Sequence, residues 1–227
     1  MRVLVVGGSK GIGKACTELL LEQGCEVIVA ARSNSEINHL PIEFIQLDVT
    51  KDLIELEDFD NLNGLIYCPG SINLKPFHRL SSEHFQQDLD VNLFGAIKTI
   101  QATLPALKKG NGSIVLFSTV AVSQGMTFHA SVATSKGAIE GLTRSLASEY
   151  APEIRVNAIA PSLTETPLAA SLLSSEKKKE ASEMRHPLKR IGKPADIASL
   201  AVHLVSENGS WITGQIIGVD GGMSRIR

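Results

Sequence analysis

A glycine-rich segment near the start of the sequence has the composition of a turn that can hold a phosphate. Gly7-Gly8-Ser9-Lys10-Gly11-Ile12-Gly13 follows an apolar run and precedes a segment with helical periodicity. Glycines at these spacings let the backbone approach a pyrophosphate, whose charge the amide groups of a helix N-terminus stabilise. A glycine cluster alone is weak evidence, but its place between a strand and a helix makes it strong. We therefore predict a dinucleotide site with contacts from Gly7, Ser9, Lys10, Gly11, Ile12 and Gly13.

The end of the second predicted strand favours one nicotinamide cofactor over the other. An acidic residue there would hydrogen-bond the adenosine ribose 2′-hydroxyl. This strand instead ends in Ala30-Ala31-Arg32. Arg32 and Lys10 could together bind a 2′-phosphate through charge-assisted hydrogen bonds. The sequence thus predicts NADP(H), with NAD(H) the less favoured alternative.

The elements that must position this turn alternate along the whole chain. Short β-branched runs and helix-period segments follow one another, which predicts right-handed βαβ units and a doubly wound parallel sheet, the Rossmann α/β fold. We expect a single domain over residues 1–227. Predicted strands are residues 2–6, 26–31, 43–47, 64–68, 113–117, 155–160 and 215–219, and predicted helices lie near 11–23, 81–108, 130–150 and 194–206. The link over residues 33–41 is too short for a full helix.

The longest interruption of this alternation covers residues 162–187 and is rich in Ser, Thr, Glu and Lys. An excursion beyond the carboxyl end of a strand is where a substrate lid would lie. We interpret it as a lid, with a pair of surface helices as the alternative.

Composition excludes several classes of function. The net charge of −2 offers no electrostatic footprint for nucleic acid. The lysine run 177–179 is flanked by Glu176 and Glu180, which is typical of a solvated helix face. Three cysteines at no metal-ligand spacing predict no metal site and fit a reducing cytoplasm, and no apolar run approaches the ~20 residues that cross a bilayer. We expect a cytoplasmic protein.

Further segments resemble the short-chain dehydrogenase/reductase family over essentially the whole chain. Asp48-Val49 is similar to the family's adenine contact, and Asn92 lies in a Val-Asn-Leu-Phe-Gly stretch like that of its catalytic-site asparagine. Residues 155–161 are similar to the segment after the sixth strand, and Thr166 matches a threonine that meets the nicotinamide amide. The resemblance implies further cofactor contacts from Asp48, Val49, Pro69, Gly70, Asn92, Lys136, Pro161, Thr164 and Thr166.

The end of the chain also carries this resemblance. Residues 212–215 and 219–222 look like the family's closing strand, which is commonly buried between subunits. The resemblance therefore implies a homo-oligomer, a dimer or a tetramer.

The catalytic centre departs from the family pattern. The family uses a tyrosine four residues before a lysine, a spacing that places both on one helix face, where the lysine's charge lowers the phenol's pKa. Lys136 matches the lysine, but Val132 occupies the tyrosine position, and valine cannot transfer a proton. Thr119, with Ser118 before it, matches the serine that hydrogen-bonds the substrate carbonyl.

Two smaller departures lie where the cofactor would pass. Tyr67-Cys68-Pro69-Gly70 stands where the family usually has Asn-Asn-Ala-Gly, and Ser162 replaces the glycine after Pro161. The lost asparagines put the sheet-stabilising hydrogen bonds of their side chains in doubt.

Another group must supply the proton if the chain is active. His129 lies seven residues before Lys136, a spacing that resembles the tyrosine–lysine pair of the enoyl-acyl-carrier reductases, and imidazole titrates near neutral pH. Water relayed through Lys136 is the alternative. Tyr67, Tyr150 and Ser131 are weaker candidates by position, and Cys68 is interpreted as a buried filler.

Two functions from different classes remain open. One is an NADP(H)-dependent oxidoreductase with Lys136, Thr119, Ser118, Asn92 and His129 at its centre, acting on a carbonyl, alcohol or enoyl substrate. The other is a dinucleotide-binding sensor or scaffold that has lost catalysis. The retained Lys136 and the hydroxyl of Thr119 favour the enzyme, since a sensor needs neither.

Overall fold

A computed structural model describes residues 1–51 and 59–226, and within them seven parallel strands form one sheet in the order β3-β2-β1-β4-β5-β6-β7. This confirms the predicted doubly wound α/β fold. The strands are β1 (Arg2–Val6), β2 (Glu26–Ala31), β3 (Glu43–Gln46), β4 (Gly64–Tyr67), β5 (Ser113–Phe117), β6 (Arg155–Pro161) and β7 (Ile216–Val219). Each lies within one residue of its predicted bounds, because strands buried on both faces are nearly continuous apolar runs.

The helices match the prediction less closely. They are α1 (Gly11–Glu22), α2 (Ser82–Leu89), α3 (Gly95–Lys109), α4 (Val120–Gln124), α5 (Ala130–Tyr150), α6 (Glu176–Arg185) and α7 (Pro194–Val205). The helix predicted near 81–108 is divided into α2 and α3 by a π-helical turn at Asp90–Phe94. Since Leu89 and Gly95 at its two ends keep right-handed helical dihedrals, the local sequence pattern does not reveal the change in hydrogen bonding.

Two apolar layers cover the two faces of the sheet. Leu4 and Val6 pack on the face covered by α3 and α5, whereas Val3 and Val5 pack on the face covered by α1 and α7. This division follows from the two-residue side-chain period of a strand.

The sheet order reverses its direction of growth between β1 and β4, so a crevice opens at the carboxyl ends of these strands. The loop after β1 and the loop after β4 meet there, where a Cβ added to Gly7 would lie 3.1 Å from Pro69. Residues 33–41 contain no helix, as predicted.

The segment 162–187 contains a 3-10 helix, Pro167–Leu173, followed by α6. Lys177 and Lys178 of the lysine run are exposed on α6. Among the described residues, none of the helices has both the length and the apolar character needed to span a membrane.

Candidate active site

The glycine turn is shaped by contacts that only glycine permits. Gly7 and Gly11 have φ of 73° and 53°, in the left-handed region. A Cβ on Gly13 would lie 2.2 Å from the carbonyl oxygen of Gly7, which no real structure tolerates. Lys10 precedes α1 with no side-chain cap on the helix, so the backbone amides of the first turn face the crevice as an anion site.

The two cations predicted to bind a 2′-phosphate lie at the outer end of this turn. Arg32 is exposed directly after β2, and its positive charge helps to lower the pKa of Asp48, after the larger effect of hydrogen bonds from Thr50. Lys10 forms an ion pair with Glu36, with 3.2 Å between Nζ and Oε1. Sequence reasoning missed Glu36, and a phosphate bound by Lys10 has to compete with this carboxylate.

The predicted adenine contact lies beyond β3. Asp48 Oδ1 accepts hydrogen bonds from the amide and hydroxyl of Thr50, which order this turn. Val49 is buried against Gly95, where a Cβ would lie 3.0 Å from it.

Lys136 is buried in the cleft with 8% of its surface exposed. Desolvation lowers the pKa of Lys136 to about 8, opposed by negative charge on Cys68 and Asp88. The pKa of Cys68 is itself raised, by its hydrogen bond to Cys16 and by burial, so Asp88 is the charge that opposes desolvation at neutral pH. No hydrogen bond joins the ammonium group to another described residue, so Nζ can donate to a ribose that enters the cavity it lines.

The π-helical turn directs Asn92 inward from the chain between α2 and α3. Asn92 is fully buried, and its amide donates to Ser71 Oγ at 3.1 Å and to Ser135 Oγ at 3.0 Å. A Cβ on Gly70 would lie 3.4 Å from Asn92 Oδ1 and 3.7 Å from Lys136 Nζ. Gly70 thus leaves open the space in which Asn92 and Lys136 face each other.

A buried carboxylate that sequence reasoning missed lies behind this group. Asp88 has no exposed surface and accepts hydrogen bonds from Ser71 at 2.5 Å, Asn73 at 2.8 Å and Ser131 at 2.6 Å. Its donors come from two separate parts of the chain, so only the tertiary structure shows the cluster.

The two candidate hydroxyls after β5 differ in their partners. Thr119 caps α4 by accepting from Ala121 N at 3.3 Å, which leaves its O–H able to donate into the cleft. Ser118 donates to Glu140 Oε1 at 2.8 Å, so it can polarise a substrate only by giving up this bond.

Val132 lies one helical turn before Lys136 and lines the same cavity. Of the other proton donors considered, Tyr67 is buried and donates to Val91 O at 2.7 Å, and Tyr150 lies at the far end of α5. Ser131 donates to Asp88 and does not line the cavity. His129 does line it, with Nδ1 held at 2.8 Å from Thr127 O.

The chain after β6 lines the cavity. Thr166 caps the following 3-10 helix, and its Cγ2 would lie 3.3 Å from a Cβ on Gly11, so the segment predicted as a lid begins beside the glycine turn. Thr164 is buried and donates to the carbonyl of Ser162 at 3.0 Å. Ser162 itself pairs with His186, at the end of α6, with 2.9 Å between Oγ and Nε2.

These groups surround one cavity of about 550 Å³, a volume typical of small-molecule sites. Thr119, Val132, Lys136, Pro161 and Ser162 all line it. Its remaining lining is largely apolar and includes Ile72, Leu74, Val120, Met126, Leu168, Leu172 and Met223. One cavity thus brings the buried Lys136 together with the Thr119 hydroxyl and an apolar wall beside the glycine turn.

Comparison with known sequences finds relatives along nearly the whole chain. Residues 6–224 match the family model described as enoyl-(acyl carrier protein) reductase. A 3-oxoacyl-[acyl-carrier-protein] reductase of Thermotoga maritima is 33% identical, covering 97% of this chain and 96% of the relative. A tropinone reductase homolog of Datura stramonium is 35% identical over 98% and 91% of the two chains.

Solved structures of dehydrogenases have the same fold as this chain. Ligand-free aldohexose dehydrogenase of Thermoplasma acidophilum has a TM-score of 0.89 at 33% identity, covering 98% of this chain and 93% of the other. A glucose/ribitol dehydrogenase of the short-chain dehydrogenase/reductase type from Brucella melitensis has a TM-score of 0.90 at 30% identity, covering 98% and 96%.

Proposed function

This chain belongs to the short-chain dehydrogenase/reductase family, and we propose that it is an NADP(H)-dependent oxidoreductase with an atypical proton donor. The observation that carries the proposal is Lys136, a buried and unpaired cation in a cavity that also contains the Thr119 hydroxyl and opens beside the glycine turn. Burying a charge that serves no ligand is costly, which favours a working site over a relic.

The chain's own residues have distinct roles in this proposal. A bound nicotinamide would supply or accept the hydride. Lys136 would hold the nicotinamide ribose, and Thr119 would donate its hydroxyl to the substrate oxygen. Asn92 would order the hydrogen-bonding groups beside Lys136 through which a proton can pass. His129 and water relayed through Lys136 are the two donors that the sequence suggests, and His129 lines the cavity.

Preference for NADP(H) rests on charge at the end of β2. Arg32 stands where an acidic residue would select NAD(H), and Lys10 lies on the facing turn. Glu36 weakens the contribution of Lys10, so Arg32 carries most of the expected selectivity.

The apolar lining of the cavity favours a carbonyl or conjugated enoyl group on an apolar chain over a sugar. Acyl-carrier reductases appear by name among the relatives, and conjugated enoyl thioesters need less proton assistance than ketones. This substrate class suits a site in which Val132 replaces the acid.

Surface and thiol chemistry support a cytoplasmic location and a homo-oligomer as parts of this proposal. Cys16, Cys25 and Cys68 are free thiols, which fits the cytoplasm. Trp211, just before β7, is 99% exposed, and a bare tryptophan beside the closing strand supports a homo-oligomer.

A substrate panel tests the proposal. Ketones, alcohols and enoyl thioesters are incubated with NADP(H) and either the native chain or Val132→Tyr, and cofactor oxidation state is followed by absorbance. We expect turnover of an enoyl or carbonyl thioester by the native chain. Tight NADPH binding without turnover by either protein would instead support the sensor or scaffold, which Val132 favours.

Cofactor preference is tested separately by Arg32→Ala. Losing one charge-assisted contact should weaken NADPH binding by roughly tenfold to 100-fold and leave NADH binding nearly unchanged. Calorimetric titration with both cofactors measures the difference, and equal losses would refute the preference.

A further inference from the structure

Ser162 and His186 form a hydrogen-bonded pair on the wall of the cavity, outside the tyrosine–lysine arrangement of the family. Ser162 directly follows β6, and His186 directly follows α6. Both line the cavity with Val132 and Lys136.

The geometry determines which ring nitrogen of His186 carries the proton when the ring is neutral. Nδ1 lies 2.7 Å from the carbonyl oxygen of Ser182, and a carbonyl can only accept. Nδ1 is therefore the donor, and Nε2 is left as the acceptor for the Ser162 hydroxyl at 2.9 Å. When the ring is protonated, Nε2 donates instead, and the Ser162 O–H is released to point into the cavity.

The imidazole ring of His186 is buried against the turn that follows β7. His186 is only 2% exposed, and a Cβ on Gly221 would lie 3.7 Å from its Cδ2. The pKa of Asp220 is lowered, against its own burial, by hydrogen bonds from Ser224 and Gly222 and by the nearby charge of His186. Lys178 and Arg185 on α6 line the same cavity as the ring, and Arg185 donates to Ser182 Oγ at 3.0 Å.

The position of Ser162 brings it close to the polarising hydroxyl. β5 and β6 are neighbours, with Phe117 opposite Ile159, so continuing the register places Thr119 beside Pro161. Neighbouring strands lie about 5 Å apart. Ser162 thus lies one residue past the strand position that pairs with Thr119, and it lines the same cavity as Thr119 and Lys136.

We propose that Ser162 is the proton donor to the substrate oxygen and that His186 supplies its proton, in place of the missing phenol. This deepens the proposed oxidoreductase function and rests on it. As hydride reaches the substrate carbon, the carbonyl oxygen takes the proton from Ser162 Oγ, and Oγ takes the proton from Nε2 of the imidazolium. The ring becomes neutral with Nδ1–H still bound to Ser182, and it takes a proton from solvent before the next turnover.

The first measurement needs no turnover. In ¹⁵N-histidine-labelled, cofactor-free protein, long-range NMR should show the neutral His186 ring protonated at Nδ1, and Ser162→Ala should shift its Nε2 resonance. A neutral ring protonated at Nε2 would overturn the proposal.

Kinetics then separates a chemical role from a structural one. With NADPH and the best substrate of the panel, Ser162→Ala should lower kcat by about 100-fold with little change in KM. His186→Asn keeps a donor for the Ser182 carbonyl but does not titrate. It should lower kcat similarly and remove the decline of kcat with rising pH that the proposal predicts for the native chain. His186→Gln replaces His186→Asn if the latter does not fold. The matched control is His203→Gln, on the exposed face of α7, which should leave kcat unchanged.

Rescue provides the decisive comparison. A phenol at position 132 bypasses Ser162, so Val132→Tyr combined with Ser162→Ala should regain most of the lost kcat. Native-like rates for both Ser162→Ala and His186→Asn, or a large loss in His129→Phe alone, would overturn the proposal while the oxidoreductase function stands. Absence of any turnover by the native chain is the separate result that defeats the oxidoreductase function itself.

Discussion

The two ends of the cleft are built in different ways. The cofactor end is made of backbone, with Gly7, Gly11 and Gly13 packed so closely that side chains have no room. The rest of the cavity depends on side-chain hydrogen bonds between distant segments, of Ser162 with His186 on its wall and of Asp88 with Ser131 behind it. A site made of backbone tolerates almost no change at its glycines. A network of side chains can instead change its members, and we propose that Ser162 and His186 take over the proton transfer of the phenol that is missing at position 132.

The largest expected effect is the loss of NADPH affinity when a side chain is added to the glycine turn. Gly13→Ala places a Cβ 2.2 Å from Gly7 O, so the turn must open and the amides lose their alignment. We expect NADPH affinity to fall by roughly 100-fold or more. Gly141→Ala, on the exposed face of α5 with nothing within 4 Å of its Cβ, should bind normally and gain about 0.5–1 kcal/mol in stability. Titration calorimetry decides, and equal binding by both variants would contradict this account.

A second prediction concerns the effect of the buried Lys136 on stability. Desolvation lowers the pKa of folded Lys136 to about 8 from 10.5, so between these pH values the unfolded chain binds more protons and stability rises with pH. Lys136→Met removes a buried charge and should stabilise the cofactor-free protein at pH 7 by up to about 3 kcal/mol, with the difference shrinking towards pH 10.5.

Denaturant unfolding at both pH values measures this difference. Lys177→Met, on the exposed face of α6, is the control and should change little. A destabilised Lys136→Met at pH 7 would show that the ammonium is satisfied without a cofactor.

The smallest effect tests the network behind the cleft. Asp88→Asn keeps the size of the side chain but removes a negative charge that opposes the desolvation of Lys136. The pKa of Lys136 should therefore fall further below about 8, and stability should fall by about 1 kcal/mol through weaker hydrogen bonds. NMR titration of Lys136 measures the shift. Asp90→Asn, whose carboxylate accepts from Gln86, is the matched control, and an equal shift in both would refute the role of Asp88.

Local pattern was sufficient for the sheet and for the glycine turn. Strands such as Val3-Leu4-Val5-Val6 are recognisable because burial on both faces demands continuous apolar residues. The π-helical turn at Asp90–Phe94 escaped prediction because a π turn keeps helical dihedrals, and α6 was expected only as a solvated helix face because it carries almost no apolar periodicity.

The sequence by itself determined the fold, and it predicted the place of a dinucleotide and the lack of a phenol at position 132. Each of these depends on residues that are neighbours in the chain or one helical turn apart. Only the tertiary structure decided that Glu36 meets Lys10, that Asp88 gathers three donors and that His186 orients towards Ser162. Hydrogen bonds between segments 24 or 43 residues apart leave no periodic signal in the sequence, because the distances that make them are set by the packing of helices on the sheet.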